Sequence, residues 1–326
     1  MTLSPTDYLR VSYSSLNTFA ECARKFEFRK LYPRSSHREE GFAAEVGKAL
    51  HAGYQDYLSY RDSDRALWEL LKAYPYELEY MTEKSEDRSL EAAMSTLEAM
   101  IAYQPMDEWD LLNIRRPNTS LEISQGLTEG VVVPAIEVPF ELRFTDVILP
   151  DGRGVAMTGY IDAAMQHRIR RTTASMDIKT HRRFGADAEG KYRYDSQQTP
   201  YSMVIEHIQG SVLEELEIFY LDCFVDLAEP RIQLYPYKRD RIDLQEFLMT
   251  KVMQFQAIQR YMELDFFPRK DGGCMAWNKP CWYLEVCQTR EREAAEHWIL
   301  RGEEPTEEPE WFPWVVTELE VFGNGG

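Results

Sequence analysis

Apolar residues set a helical rhythm at the start of the chain. Leu16, Phe19, Ala23 and Phe26 recur at spacings of three and four behind Ser12-Tyr-Ser-Ser, whose first serine suits a helix N-cap. Residues 43–60 repeat the pattern, with Val46, Leu50, Tyr54, Tyr57 and Leu58 on or near one face. Residues 64–106 are helix-like and acidic, and Ala73-Tyr-Pro predicts a break into two helices. The rhythm then changes. Residues 131–149 are rich in Val, Ile and Phe and alternate in Glu137-Val-Pro-Phe-Glu-Leu-Arg-Phe, which predicts a strand. A second strand is expected over 155–169, after an Asp151-Gly turn, and a third over 173–180. Residues 195–209 read as a helix, 216–225 (LEIFYLDCFV) and 231–237 as strands, and 244–262 as a long amphipathic helix. A cysteine-bearing loop, a short helix near 290–300 and a Glu/Pro/Trp tail follow. Helices, three strands, a helix and two strands imply a mixed α/β arrangement around one sheet.

At 326 residues and 44% hydrophobic, the chain has enough material for a sizeable core. No apolar run is long enough to span a bilayer, and MTLSPTDYLR lacks a signal-peptide layout, so a cytoplasmic setting without membrane contact is expected. The net charge of -18 weighs against nucleic acid, because phosphate binding rests on Lys and Arg. The distribution changes that picture. Residues 168–193 carry eight Lys/Arg against three acids, whereas residues 290–326 carry ten Glu against three Arg. Long-range steering follows the total, but contacts follow the local charge.

The chemistry gathers in 159–184, GYIDAAMQHRIRRTTASMDIKTHRRF. Residues two apart on a strand share a face, so Asp177 and Lys179 project side by side with Ile178 turned inward. If the second and third strands pair through a turn near 170–172, Asp162 comes close to Asp177. Two carboxylates at close range repel unless one is protonated or a cation bridges them. A hard divalent ion, Mg²⁺ or Mn²⁺, suits such oxygens, and a lysine beside it suits phosphodiester hydrolysis. Asp-x-Lys alone is a weak signal, and by itself a surface ion pair explains it better.

Other pieces accompany it. Ser12-Tyr-Ser-Ser-Leu with Cys22 shortly after, Gly47-x-x-x-His51, Gly159-Tyr-Ile-Asp162, Asp177-Ile-Lys-Thr180 and Gln197-x-x-x-Tyr201 occur in that order over residues 11–290. Together they resemble the RecB-like branch of the PD-(D/E)xK nucleases, which includes Cas4-type nucleases, the AddB nuclease domain and phage exonucleases. The resemblance implies a restriction-endonuclease-like α/β fold, a mixed central sheet flanked by helices with an N-terminal helical segment and a C-terminal cysteine-bearing region. It implies one nuclease domain over 1–290, interrupted by a helical insertion at 64–110, and an acidic tail over 291–326. His51, Asp162, Asp177 and the Ile178 carbonyl become the expected metal ligands and Lys179 the catalytic lysine. Gln197 and Tyr201 become supports of the site or the DNA, with Gln198 the alternative if the helix register differs. Glu137 is read as either an outer support or a solvent-facing strand residue.

Five cysteines with no secretion signal argue against a disulfide framework. Cys223, inside the apolar strand LEIFYLDCFV, reads as core. Some members of the same nuclease branch hold a [4Fe–4S] cluster on one N-terminal and three C-terminal cysteines. Here those are Cys22 and, in a Gly/Pro loop, Cys274-x6-Cys281-x5-Cys287. The first C-terminal interval is longer than in the compact C-x2-C-x5-C pattern, so tetrahedral zinc stays open as the alternative. Arg168, Arg170, Arg171, Arg182 and Arg183 are candidates for DNA phosphates, and Phe184, Tyr192 and Tyr194 for stacking on unpaired bases. The resulting expectation is a metal-dependent DNA exonuclease acting on free ends or single strands, in recombination or repair, in a bacterial or phage-infected cell, with a recombinase or helicase as a possible partner. A nuclease-fold protein that binds DNA or a partner without cutting is the alternative.

Overall fold

Ser12 closes a strand and opens a helix. Its hydroxyl oxygen accepts the Ser15 backbone N–H at 3.3 Å and so caps the helix that follows. The computed structural model describes residues 7–31, 42–79, 89–124, 129–181, 188–226, 229–270, 274–276, 279–281, 283–289 and 313–321. Its main elements are β1 (Tyr8–Ser12), α1 (Tyr13–Glu21), α2 (Phe42–Tyr60), α3 (Ser63–Ala73), α4 (Leu90–Ile101), β2 (Trp109–Leu111), β3 (Ile136–Ile148), β4 (Gly154–His167) and β5 (Thr173–His181). They continue with α5 (Ala188–Tyr194), α6 (Tyr201–Gln209), β6 (Glu215–Phe224), β7 (Arg231–Asp240), α7 (Arg241–Glu263) and β8 (Val315–Leu319). The principal sheet is mixed, in the order β8–β3–β4–β5–β6–β7, with β1 and β2 also pairing to β4. The α/β class expected from the pattern is therefore present.

The chain divides into two compact units. One comprises Glu40–Pro139 and Tyr160–Gln245. In it β4 and β5 are antiparallel, Ala163 facing Met176 and Gln166 facing Thr173, so the expected pairing through the turn near 170–172 is formed. β5 and β6 are parallel, with Asp177 beside Tyr220 and Lys179 beside Asp222. Strand alternation then sorts the chemistry. Ala174, Met176 and Ile178 join a core with Val46 and Leu50 of α2, Leu70 of α3 and Leu97 of α4. Ser175, Asp177 and Lys179 turn the other way, to Gln197 and Gln198. α2 approaches β5 closely because it carries Gly47: a Cβ there would stand 2.7 Å from Thr180 Oγ1.

The other unit comprises Met1–Glu39, Phe140–Gly159 and Glu246–Gly326. β1 runs parallel to the first part of β4, Tyr8 beside Gly154 and Ser12 beside Thr158. β8 runs parallel to β3, Val315 beside Phe140. Residues 315–319 lie in the stretch read as an acidic tail. Their alternation places Val315 and Leu319 inward, and the strand joins the sheet. Phe144 packs on Phe255 of α7 at 5.0 Å between ring centroids, and Phe28 on Tyr283 at 5.5 Å. Gly159 leaves room for Phe140, whose Cζ would be 2.9 Å from a Cβ at that position.

Two helices differ from expectation. The helix expected over 195–209 begins at Tyr201, because Asp195 Oδ1 accepts the Gln197 backbone N–H at 2.8 Å and holds a turn ahead of it. The helix expected over 244–262 begins earlier, at Arg241, where Asp240 Oδ1 accepts the backbone N–H groups of Ile242 and Asp243 at 2.8 and 3.0 Å. α5 had no expectation. The helix expected near 290–300 lies outside the described residues.

Gly47→Ala should lower the thermal midpoint, at a cost on the order of 1–3 kcal/mol from overpacking, despite alanine's better helix propensity. Thr180→Ala removes the atom in the way, so the double variant should recover most of that loss in a denaturant titration. Additive losses would rule out the contact as the cause.

Candidate metal centre

β5 delivers Asp177 and Lys179 to one face, and β4 delivers Asp162 beside them. The Ile178 backbone N–H donates to Asp162 Oδ2 at 2.8 Å, which pins that carboxylate against β5. α2 brings His51, whose Nδ1 lies 3.8 Å from the same oxygen. β3 brings Glu137, held by the Gln55 side-chain amide of α2. One ligand atom each from His51, Glu137 and Asp162 lie within 4.8 Å of one another. Asp177 stands outside that trio and carries Lys179. The ammonium is 2.7 Å from Asp177 Oδ2, a close ion pair.

Gln197 ties the pair from the far side. Its Nε2 donates to Asp177 Oδ1 at 3.1 Å, and its Oε1 accepts from Lys179 Nζ at 3.4 Å. The open question of helix register is answered by position. Gln198 is fully buried, accepts from Ser175 Oγ at 2.7 Å and donates to the Phe219 carbonyl at 3.0 Å, so it serves the core. Tyr201 is also buried, and burial pushes its phenol well up, against a hydrogen bond with Gln197.

The electrostatics are those of acids crowded out of water. Burial raises Asp162 well above the usual carboxylate range; the Asp177 charge adds to this and the Ile178 N–H opposes it. Burial likewise raises Glu137, against the Gln55 hydrogen bond and with help from Asp177. Asp177 is raised by burial, against the pull of Lys179. For Lys179, burial works against the charge, but Asp177, Asp162 and Asp195 outweigh it and the ammonium is strengthened. His51 is held at about 4 by burial and then by the Lys179 charge, against a hydrogen bond to the Ile178 backbone. Near pH 7 it is a neutral imidazole, the form that ligates metal. A neutral imidazole beside crowded carboxylate oxygens forms a donor set suited to Mg²⁺ or Mn²⁺.

Glu137 is the member that the sequence placed no nearer than an outer support. Its backbone has φ of +46°, a left-handed conformation inside an otherwise extended strand. Such a kink re-aims a side chain and costs on the order of 1–3 kcal/mol, which is characteristic of functional positions. Simple alternation along 136–148 gives no sign of it. Other expected contacts fall elsewhere. Arg168 pairs with Asp110 at 2.9 Å, and Arg170 reaches Glu217 at 3.9 Å, both at the β4–β5 turn rather than beside Asp177. Tyr192 is not available to stack on bases, because it is buried against Tyr220, ring on ring at 4.3 Å. Tyr194 is exposed. Arg182, Arg183 and Phe184 lie outside the described residues.

The family model of the PD-(D/E)XK nuclease superfamily matches residues 10–288. The chain belongs to this superfamily. PD-(D/E)XK nucleases ordinarily use divalent metals, in keeping with the His51–Glu137–Asp162 group. No curated protein matches the chain. Among solved structures, it is similar to a protein from Eubacterium rectale described as a "putative exonuclease", at 17% identity and a TM-score of 0.44, over 88% of this chain and 98% of that one. It is also similar to the protein SSO0001, at 12% identity and a TM-score of 0.23, over 77% of this chain and 91% of that one. Likenesses this remote add nothing to the superfamily assignment.

Asp162→Asn keeps the acceptor for Ile178 N–H while removing one of the crowded charges. The metal-free variant should therefore melt higher than the parent, and the rise in melting temperature that Mn²⁺ gives the parent should disappear. A metal-free variant that melts lower, or one that keeps the full Mn²⁺ effect, would contradict this account of the site.

Proposed function

We propose that the protein is a divalent-metal-dependent DNA exonuclease of the RecB-like branch, with an iron–sulfur cluster in its other unit. The observation that carries the reading is the trio of His51, Glu137 and Asp162 beside an Asp177–Lys179 pair. His51, Glu137, Asp162, Asp177 and the Ile178 carbonyl would hold Mg²⁺ or Mn²⁺. Such an ion, when bound, supplies an acidified water and offsets charge on the phosphate. Lys179 contributes a fixed positive charge. Asp177 and Gln197 hold its ammonium in place before substrate arrives, so little reorganisation is needed when charge develops on the phosphate. Gln197 keeps Asp177 and Lys179 in register, and the buried Tyr201 hydrogen-bonds to it. Arg182 and Arg183, next in sequence after His181, are suited to the DNA backbone. Exonuclease action, a role in recombination or repair, a helicase or recombinase partner and a cytoplasmic setting in a bacterial or phage-infected cell rest on the sequence resemblance.

The cluster reading rests on four thiols in one unit. Cys22, Cys274, Cys281 and Cys287 are all free and partly exposed. Burial raises the Cys287 thiol to about 11; Arg24 opposes this, and Cys281, Cys22 and Cys274 reinforce it, so the four lie within electrostatic reach of one another. The short hairpin of Met275–Ala276 with Lys279–Pro280 brings Cys281 N–H to the Cys274 carbonyl at 2.7 Å.

With Mg²⁺ or Mn²⁺, the wild type should degrade end-labelled linear DNA and spare covalently closed circles. Lys179→Ala should be slower on the order of a hundredfold or more. Equal inertness of both proteins on DNA that they bind would sink the enzyme reading in favour of a non-cleaving binder, and cutting of circles would replace exonuclease by endonuclease.

Purified anaerobically, the protein should be brown with broad visible absorption. Cys281→Ser should lose that absorption and Cys223→Ala should keep it. A folded, colourless protein with one equivalent of zinc would establish the alternative.

A further inference from the structure

His181 ends β5 in a network that the metal centre does not use. Alternation puts its side chain on the face that carries Asp177 and Lys179, about 7 Å beyond the lysine. Behind it, on β6, Asp222 is 1% exposed and stands beside Lys179 in the parallel register. Lysine turns to Asp177, however, and Asp222 is served by other groups. Tyr192 of α5 donates its hydroxyl to Asp222 Oδ1 at 2.6 Å. His181 Nε2 lies 2.9 Å from Tyr192 Oη and 3.3 Å from Asp222 Oδ1.

This geometry fixes the imidazole. A phenol has one hydrogen, and Tyr192 gives it to Asp222. Towards His181 both neighbouring oxygens can then only accept, so Nε2 carries a hydrogen and Nδ1 is the nitrogen left for another partner. A carboxylate behind an imidazole is the usual means of orienting the ring for work on its far side. The network is more than the fold needs. Tyr192 is already anchored by Asp222 and by its stack on Tyr220, and Asp222 keeps its Tyr192 donor if the imidazole is removed. The His181 side chain is 29% exposed, so its outer edge reaches solvent. Lys191, 5.5 Å from the Tyr192 ring centre, adds positive charge at the same corner.

Taking the nuclease reading as given, we propose that His181 is a substrate-positioning residue, whose Nδ1 edge hydrogen-bonds a phosphate oxygen of the nucleotide next to the cleaved bond. A nucleic-acid strand repeats its phosphates on the scale that separates His181 from Lys179 along β5. A phosphate at Nδ1 favours the doubly protonated ring, and Asp222 behind it offsets that charge.

The test separates this role from both structure and cleavage. Binding of a fluorescein-labelled single-stranded deoxyoligonucleotide is measured by anisotropy in the Lys179→Ala background, without divalent metal. Adding His181→Ala should weaken binding roughly tenfold, the weight of one hydrogen bond to a charged group, and lower the salt slope by about 1. The melting temperature should stay near that of the parent. His181→Asn, whose amide nitrogen stands where Nδ1 does, should recover part of the loss, and His181→Gln, which reaches only the Nε2 position, should not. In the otherwise wild-type enzyme, His181→Ala should raise KM by a similar factor with a smaller change in kcat. Unchanged affinity in His181→Ala, or a loss that merely follows a lowered melting temperature, overturns the proposal. Failure of the nuclease reading shows separately, as a wild type no more active than Lys179→Ala, while the binding comparison still reports on His181.

Discussion

Three carboxylates held partly or wholly out of water, with one ammonium among them, are an unfavourable arrangement, and the candidate metal centre is built around that fact. Glu137, Asp162 and Asp177 are all pushed above the usual carboxylate range, while His51, held at about 4, brings no positive charge near neutral pH. Lys179 offsets one acid, and that acid is Asp177 rather than either carboxylate of the trio. Charge of like sign is thus left concentrated on the side of His51, Glu137 and Asp162. Like charges at close range are tolerated when a cation joins them or when a proton does. The stability that the site withholds from the empty fold is returned on binding a cation, by ordinary mass action.

The rest of that unit keeps these groups from relaxing apart. β5 has helices against both faces, so a shift of one residue in register would exchange Met176 and Ile178 for Asp177 and Lys179 in the core. Hydrophobic burial therefore fixes the register, and the register fixes which side chains meet. Gly47 sets the approach of α2 and hence the position of His51, one turn further along that helix. Gln197 bridges Asp177 and Lys179 from the opposite layer.

This balance explains what could be read in advance. Asp177 and Lys179 were legible because alternation along a strand is a local rule. Asp162 was legible once a turn at 170–172 implied the β4–β5 pairing. His51 needed the resemblance, since spacing along a helix does not say what the helix faces. Glu137 was read as no more than an outer support because its direction depends on one left-handed residue, and a propensity pattern does not register that. Gln197 and Gln198 stayed unresolved for a similar reason: the turn made by Asp195 shortens the helix and selects which glutamine faces the lysine. Tyr192 was misjudged because an aromatic residue amid Lys and Arg reads as exposed, while its actual partners, Asp222 and Tyr220, come from a strand nearly thirty residues later. The strand at 315–319 was hidden by the acidic composition around it, although Val315 and Leu319 keep the spacing of an inward face.

The unit that carries the cysteines poses a different physical problem. It gathers three stretches, Met1–Glu39, Phe140–Gly159 and Glu246–Gly326, so its contacts close loops of more than a hundred residues. Loop closure costs entropy that grows only slowly with length, but it must be met before any long-range contact forms. Parallel pairing of β1 with β4 and of β8 with β3, together with aromatic packing such as Phe28 on Tyr283, provides part of the return. Arg24 adds to it by donating to the Phe267 carbonyl at 2.9 Å. Cys22, two residues before Arg24, and Cys274, Cys281 and Cys287 beyond Phe267 extend the same seam. A cluster bound there would join the ends of the unit by bonds stronger than any of these contacts. On this argument the proposed cluster acts as a clasp whose value lies in the order of the chain, because it joins the two stretches that lie furthest apart in sequence.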